Sequence, residues 1–158
     1  MIDNTDAKLL EMIQQNARLS NAALADAVGL TKTAVFERVR KMEQAGIICG
    51  YETRLNPKKV QKGMVAFIFL RTEEPFASQA TGKALTRIPE VLEVHNVAGE
   101  DCYLIKVRVA NTDALAKLLR DKFSKLKAIR STRTTIALDT LKESAYLPID
   151  SLLENEHA

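Results

Sequence analysis

An α+β chain in two unlike parts is predicted by three features of the sequence. Apolar residues recur at helical spacing as far as Gly46 and at strand spacing beyond it. Gly29 and Gly46 stand where short helices must stop. From Val65 onward the segments read strand, helix, strand, strand, helix, strand.

The first part reads as three helices. Asp3 or Thr5 can cap the first, whose inward stripe is Leu9, Leu10 and Ile13, and Asn16 and Arg18 fall in the break after it. Ser20 is placed to cap a short second helix over 21–28, rich in Ala, Leu and Val. Gly29 supplies the backbone freedom that the next turn needs, and Leu30 is expected to plug inward. Thr31 caps a third helix with Val35, Val39 and Met42 on its core side, and Gly46 closes it. Two small helices joined through a glycine turn make a helix-turn-helix, here winged-helix-like.

After Gly46 a strand is expected over Ile47 to Leu55, then a turn at Asn56-Pro57-Lys58-Lys59. Val65 to Leu70 is an apolar run of β-formers. Ala77 to Ile88 reads as a helix weakened by Gly82 and stopped by Pro89. Val91 to Val97 and Tyr103 to Val109 read as strands around Gly99-Glu100-Asp101. Thr112 can cap a helix carrying Leu115, Leu118, Leu119 and Phe123, and Ile129 to Leu138 alternates as the last strand. That order is the ferredoxin-like βαββαβ plan. The expected divisions are 1–50 for the helix-turn-helix domain, 51–62 for a strand and linker, 63–149 for the ferredoxin-like domain and 150–158 for a polar tail.

Composition narrows the function classes. In 158 residues, 46% are hydrophobic and 27% charged, which suits one or two small globular units with real cores. Cys49 and Cys102 are far apart and show no CxxC spacing, and the only histidines are His95 and His157, so neither a disulfide framework nor a metal site is expected. His95 reads as a structural histidine, Cys102 as a small packed side chain. The start lacks a basic leader and an apolar run, and no stretch approaches a membrane span, so a cytoplasmic protein without membrane contact is expected. No nucleophile, paired carboxylates or phosphate loop is spaced for catalysis; neither an enzyme nor a cofactor is expected.

The third helix carries the first chemistry. Thr31, Lys32, Thr33, Ala34, Glu37, Arg38 and Lys41 lie largely outside its core stripe, and residues 31–41 hold a local charge of +3. Such a face suits the major groove of double-stranded DNA, with phosphate favoured at the free N–H groups of the helix start. Ser20 and Asn21, opening the preceding helix, are placed for backbone contacts. Spacing alone also fits an ordinary three-helix unit with a solvated charged face. Phe36 fits either core or an exposed apolar contact.

These residues bring a resemblance. Leu24-Ala25-Asp26-Ala27-Val28-Gly29-Leu30, the run from Val39 through Tyr51, Leu55-Asn56-Pro57, Val97-Ala98-Gly99, Tyr103 to Val107 and Ser131 to Thr135 together resemble the leucine-responsive/asparagine (Lrp/AsnC) family of bacterial and archaeal regulators, over about residues 2–149. The resemblance implies a DNA-binding first part and an amino-acid-responsive, oligomerising second part. It implies homodimers, often assembled to octamers, and an effector cleft near the turn after residue 97 and the last strand. Carried over by position, the effector residues are Gly99, Glu100, Asp101, Cys102, Thr134, Thr135 and Ile136. Many members have an acid where Cys102 stands; here the acid is Asp101, one place earlier. Either Asp101 bends in to serve, or the effector differs among leucine, methionine and other amino acids. Periodicity alone reads this turn as an acidic hairpin tip.

The expected function is a sequence-specific DNA-binding transcription regulator whose DNA binding or assembly responds to a small amino acid. One reading helix spans few base pairs, so two half-sites and a dimer are needed, and the open face and edges of the sheet suit that pairing. Two alternatives stand beside it: an amino-acid sensor acting through protein partners, and a nucleoid-organising DNA-binding protein of low sequence specificity. Lys117, Arg120, Lys122, Lys125, Lys127, Arg130 and Arg133, against Asp121, make a +6 stretch. It reads as a solvated helix face or as a track for DNA.

Overall fold

The structure, a computed structural model, describes residues 2–75 and 78–149. Two compact units divide the chain between Arg54 and Leu55, and the segment from Lys142 returns to the first.

The helical unit forms around helices α1 (Asn4–Gln15), α2 (Asn21–Val28) and α3 (Lys32–Gln44). Each start is capped locally. Asp3 accepts from the Asp6 N–H at 2.8 Å and Asp6 accepts from the Asp3 N–H at 3.3 Å, a reciprocal box that settles the first cap on Asp3 rather than Thr5. Ser20 accepts from the Ala23 N–H and Thr31 from the Ala34 N–H, both at 3.2 Å, as their positions predict. Gly29 ends α2 at φ 69°, in the left-handed region that costs a β-carbon-bearing residue about 1–2 kcal/mol. Leu9, Leu10, Leu24, Ala25, Val35 and Met42 form the buried centre. Leu30, expected to plug inward, is 37% exposed and stands outside the buried cluster.

Ile47 to Leu55 forms no strand among the described residues. Its pattern suits extended chain, but a strand needs a second one to take its N–H and C=O groups. Side chains hold the segment instead: the Tyr51 hydroxyl donates to Glu43 at 2.8 Å, and Arg54 donates to the Glu143 carbonyl. Residues 142–149, expected in the second domain, lie on the first: Gln14 exchanges two bonds with the Leu147 backbone, at 2.8 and 3.0 Å, and Ile149 packs on the helical cluster. Their long sequence separation hid this from local pattern. The tail expected at 150–158 lies outside the described residues.

The second unit is a four-stranded antiparallel sheet with helices between its strands: β1 (Met64–Thr72), α4 (Ala80–Leu85), β2 (Val91–Asn96), β3 (Tyr103–Val109), α5 (Thr112–Asp121), a 3-10 turn (Phe123–Lys125) and β4 (Ile129–Ile136). The strand order β2-β3-β1-β4 is the ferredoxin-like one. α4 is shorter than expected, because Gly82 weakens it and turns carry the chain from Thr86 to β2; the expected start at Ala77 lies outside the described residues. Asn111, not Thr112, caps α5, accepting from the Ala114 N–H at 2.9 Å from an extended backbone. Phe123 falls in the 3-10 turn, and β4 stops at Ile136, leaving Leu138 in solvent.

The register sorts this sheet into two faces. Ala66, Ile68 and Leu70 of β1, with Tyr103, Ile105 and Val107 of β3, face α4 and α5 and are buried with Leu85, Leu115 and Leu118. The alternate residues Phe67, Phe69, Leu104 and Lys106 share the opposite, helix-free face and are half-buried.

Candidate nucleic-acid interface and effector turn

α3 buries Val35 and Met42 with Val39 half-buried, which turns Thr33, Phe36, Arg40 and Lys41 outward along the opposite side. Thr31, Lys32 and Thr33 are exposed at its start, with Ala34 half-buried beneath them. Ser20 and Asn21 are exposed at the start of α2. Glu37 meets Arg40 at 3.1 Å and so tempers one cation of the face.

Arg38 is placed differently from its neighbours. Its Nη1 donates to Asp3 at 2.7 Å and to Asp6 at 2.8 Å, the two carboxylates that cap α1. The Asp6 and Asp3 bonds raise the Arg38 pKa further. The Asp6 N–H, and after it Arg38, hold the Asp3 carboxyl below its usual range against the opposing effect of burial. Spacing alone groups Arg38 with Lys41 on a groove-facing side, whereas Arg38 clamps α3 to the start of α1. Two residues left outside the predicted set belong on the outer face. Phe36 is 50% exposed, and Arg40 follows Thr33 and Phe36 at helical spacing. An exposed phenyl on such a face suits a thymine methyl. Counting from Thr33 at i+3 and i+7 would have found both.

The turn after β2 is held at several points. The Cys102 N–H donates to the Leu70 carbonyl at 2.7 Å, and the Val97 N–H to the Cys102 carbonyl at 3.1 Å. Gly99 sits at φ 145°, which a side chain would strain. Glu100 is exposed and Cys102 half-buried, its sulfur 3.4 Å from the Thr72 N–H. Asp101 reaches across to β4, accepting from Arg133 at 3.1 Å, and that guanidinium lies over the Phe69 ring at 4.0 Å. Arg133, absent from the predicted effector set, is therefore the cation that the turn's carboxylate meets.

The β4 candidates do not converge. Thr134 and Ile136 pair with Ile68 and Ala66 and share their helix-side face, whereas Thr135 pairs with Phe67 on the other. Ile136 also lies toward the far end of β1 from Leu70, where the turn is tied. Within one chain, the turn meets β4 at Arg133 rather than at the three predicted positions together. His95 is exposed and faces Glu93 at 3.3 Å, and Glu93 also takes the Lys106 ammonium at 2.7 Å.

Below the turn, Tyr103 enters the core with its hydroxyl donating to Glu74 at 2.8 Å. Glu74 also accepts from the Ser78 hydroxyl and the Thr81 N–H, each at 3.1 Å, and so caps α4 from outside it. Burial pushes the Glu74 pKa up, but the bonds from Tyr103, Thr81 and Ser78 outweigh it and leave the carboxyl below its ordinary value.

Comparison with known proteins assigns both units. The winged helix-turn-helix DNA-binding profile matches residues 2–48, and that of the Lrp/AsnC ligand binding domain matches 65–147. The chain belongs to the Lrp/AsnC family. It is 34% identical over 150 residues to the leucine-responsive regulatory protein of Escherichia coli, covering 94% of this chain and 92% of that protein. It is also 34% identical over 145 residues to an HTH-type transcriptional regulator of Pyrococcus furiosus, covering 90% of this chain and 97% of that one. Among solved structures, a transcriptional regulator of Neisseria meningitidis in complex with L-methionine superposes with a TM-score of 0.90 at 28% identity, covering 97% of this chain and 100% of that one. As a member of this family the protein is a transcription regulator with a DNA-binding helical head and a ligand-binding sheet domain. No described helix is long and apolar enough to cross a membrane, and no metal-binding cluster occurs among the described residues.

Proposed function

We propose that this regulator reads DNA as a homodimer and that a small aliphatic amino acid, of the methionine or leucine type, sets its DNA occupancy or assembly. The outer stripe of α3 supports the first half: Thr31, Lys32, Thr33, Glu37 and Lys41, with Phe36 and Arg40, meet the groove, while Ser20 and Asn21 take backbone phosphates. Arg38 works from behind, by holding that helix in place.

The sheet supports the dimer. Val65 to Leu70 is apolar at every position, the pattern of a strand covered on both faces, yet helices cover only one. A second copy laid on Phe67, Phe69 and Leu104 covers the other. The edge strands β2 and β4 then remain to carry dimers into a larger assembly, the octamer expected from the sequence.

The observation that carries the effector reading is the Asp101–Arg133 pair beside the Gly99 turn. A zwitterionic amino acid fits where such a pair opens, its ammonium on Asp101 and its carboxylate on Arg133, with Glu100 and Cys102 bordering the turn. Thr134, Thr135 and Ile136, which point to both sides of β4, line the remainder from more than one subunit. The structure of the Neisseria relative with L-methionine favours that amino acid as the first to test.

A thermal-shift screen of amino acids tests this. Methionine or leucine is expected to raise the melting temperature with concentration, reaching about 2.7 kcal/mol of stabilisation at a hundred times Kd. Asp101→Ala should remove the shift and leave DNA binding intact. A wild type indifferent to every amino acid, or a shift that survives Asp101→Ala, refutes the assignment.

A further inference from the structure

The positive charge of this protein does not sit where its reading helix sits. Residues 1–54 hold seven basic and seven acidic side chains, so the helical head with its reader is neutral at pH 7. Residues 55–141 hold fifteen basic against nine acidic, a surplus of six, and residues 142–158 one basic against four acidic. The net +3 of the chain is thus entirely a property of the sheet domain. For a protein whose partner is a polyanion, that is the reverse of what a reader acting alone needs.

Within the sheet domain the surplus is again localised. Lys106 is paired with Glu93, Arg133 with Asp101, and Arg130 with Glu73. By contrast Lys117, Lys122, Lys125 and Lys127 are exposed, and no carboxylate partner occurs for them among the described residues. They follow one another along α5, the 3-10 turn and the approach to β4. Arg120 lies among them, 3.7 Å from the adjacent Asp121, the one acid of the stretch. Burial of Leu115, Leu118 and Phe123 against the sheet fixes the inward side of this layer, so the lysines stand on its outside. α5 itself is balanced, with Asp113 and Asp121 against Lys117 and Arg120, so the single-sign run is the one that follows it, Lys122, Lys125 and Lys127; a face that served only solubility would carry mixed signs there too.

We propose that the surface running from the end of α5 through the 3-10 turn to Lys127 is a second contact to duplex DNA, made to phosphates and indifferent to sequence. The inference rests on the DNA-binding role of the head and adds the source of its electrostatic attraction. Exposed lysines are well suited to such a contact. An ammonium on a flexible stem meets a phosphate as a point charge, and binding releases counterions from the duplex without any base being read. The division of labour follows from the charge count. A neutral head discriminates sequences, and a basic sheet domain holds the backbone.

The test is a salt titration of binding to a long duplex, with the full chain and the variant Lys122→Gln/Lys125→Gln/Lys127→Gln. The slope of log K against log salt should fall by about 0.9 for each lysine that meets a phosphate, so by up to about 3 per bound chain. Affinity at low salt should fall by about tenfold or more, while the ratio of specific to random-sequence affinity stays unchanged. A parallel measurement needs no variant: DNA should slow acetylation of Lys122, Lys125 and Lys127 in the wild type. Unchanged slope, unchanged acetylation, or a variant with altered oligomeric state overturns the proposal; the last would place the lysines in a subunit interface. If the wild type bound no DNA at all, the role of the head would fail instead, so the two failures are distinguishable.

Discussion

Glu74→Ala should cost about 2–4 kcal/mol of stability, the largest loss expected from any single polar residue of the sheet domain. The donors that converge on that carboxylate include the Tyr103 hydroxyl, the Ser78 hydroxyl and the Thr81 N–H. Tyr103 is 3% exposed, and its O–H would lose its acceptor while Gly82 and Asn96 still approach its oxygen, at a cost of about 1–3 kcal/mol. Loss of the bond to the start of α4 adds roughly another 1 kcal/mol, since Gln79 makes no side-chain cap there. Chemical denaturation measures the sum. In a Tyr103→Phe background Glu74→Ala should cost distinctly less, because no buried O–H is then left without an acceptor. The sign of the pH dependence follows from the lowered pKa of Glu74. Its contribution is present above the ordinary value of 4.5 and disappears as pH falls through the lower folded value. A Glu74→Ala protein within about 0.5 kcal/mol of wild type would contradict this role. The consequence for function is positional. Tyr103 is the first residue of β3 after the Gly99 turn, and Glu74 anchors it.

Arg38→Ala should destabilise the helical head by about 1–2 kcal/mol, whereas Lys41→Ala should leave stability within about 0.5 kcal/mol. The full value of two charge-assisted bonds is larger, but the Arg38 side chain is 34% exposed and Asp3 49%, so water weakens the pair. DNA affinity should respond in the opposite order, with Lys41→Ala reducing it directly through a lost phosphate or base contact. For Arg38→Ala, weaker binding should accompany the stability loss, since α3 loses its tie to α1. The gap between wild type and Arg38→Ala should narrow in acid: the Asp3 contribution is present above 3.8 and vanishes as pH falls through its lowered folded value. Equal stability combined with a severe loss of DNA binding would return Arg38 to the groove face.

The contrast between these two cations shows what sequence pattern can and cannot supply. Both lie off the core stripe of α3, and spacing treats them alike. Their difference is made by Asp3 and Asp6, more than thirty residues earlier, which bring a second helix to bear on one of them. Features decided within a turn of chain were legible: the caps at Ser20 and Thr31, the left-handed Gly29, and the strand bounds of Tyr103 to Val109. The cap of α5 was misplaced by one because Asn111 and Thr112 are both good cappers, and only the extended backbone at Asn111 decides between them. The strand expected over Ile47 to Leu55 has the right alternation but no partner strand among the described residues. At the effector turn, Gly99 and Asp101 were legible from their chemistry. Arg133 was not, because its relevance comes from register: it stands opposite Phe69 and within reach of Asp101.

Whether this protein is an amino-acid-tuned reader of paired half-sites is decided by selection from a pool of random duplexes, with and without methionine or leucine. Enrichment is expected of a sequence with two related half-sites about one helical turn apart, bound roughly a thousandfold or more tighter than random duplex. The amino acid should shift that affinity several-fold, a coupling of about 1–3 kcal/mol. A pool that emerges unenriched, with binding the same whether or not an amino acid is present, would contradict that reading.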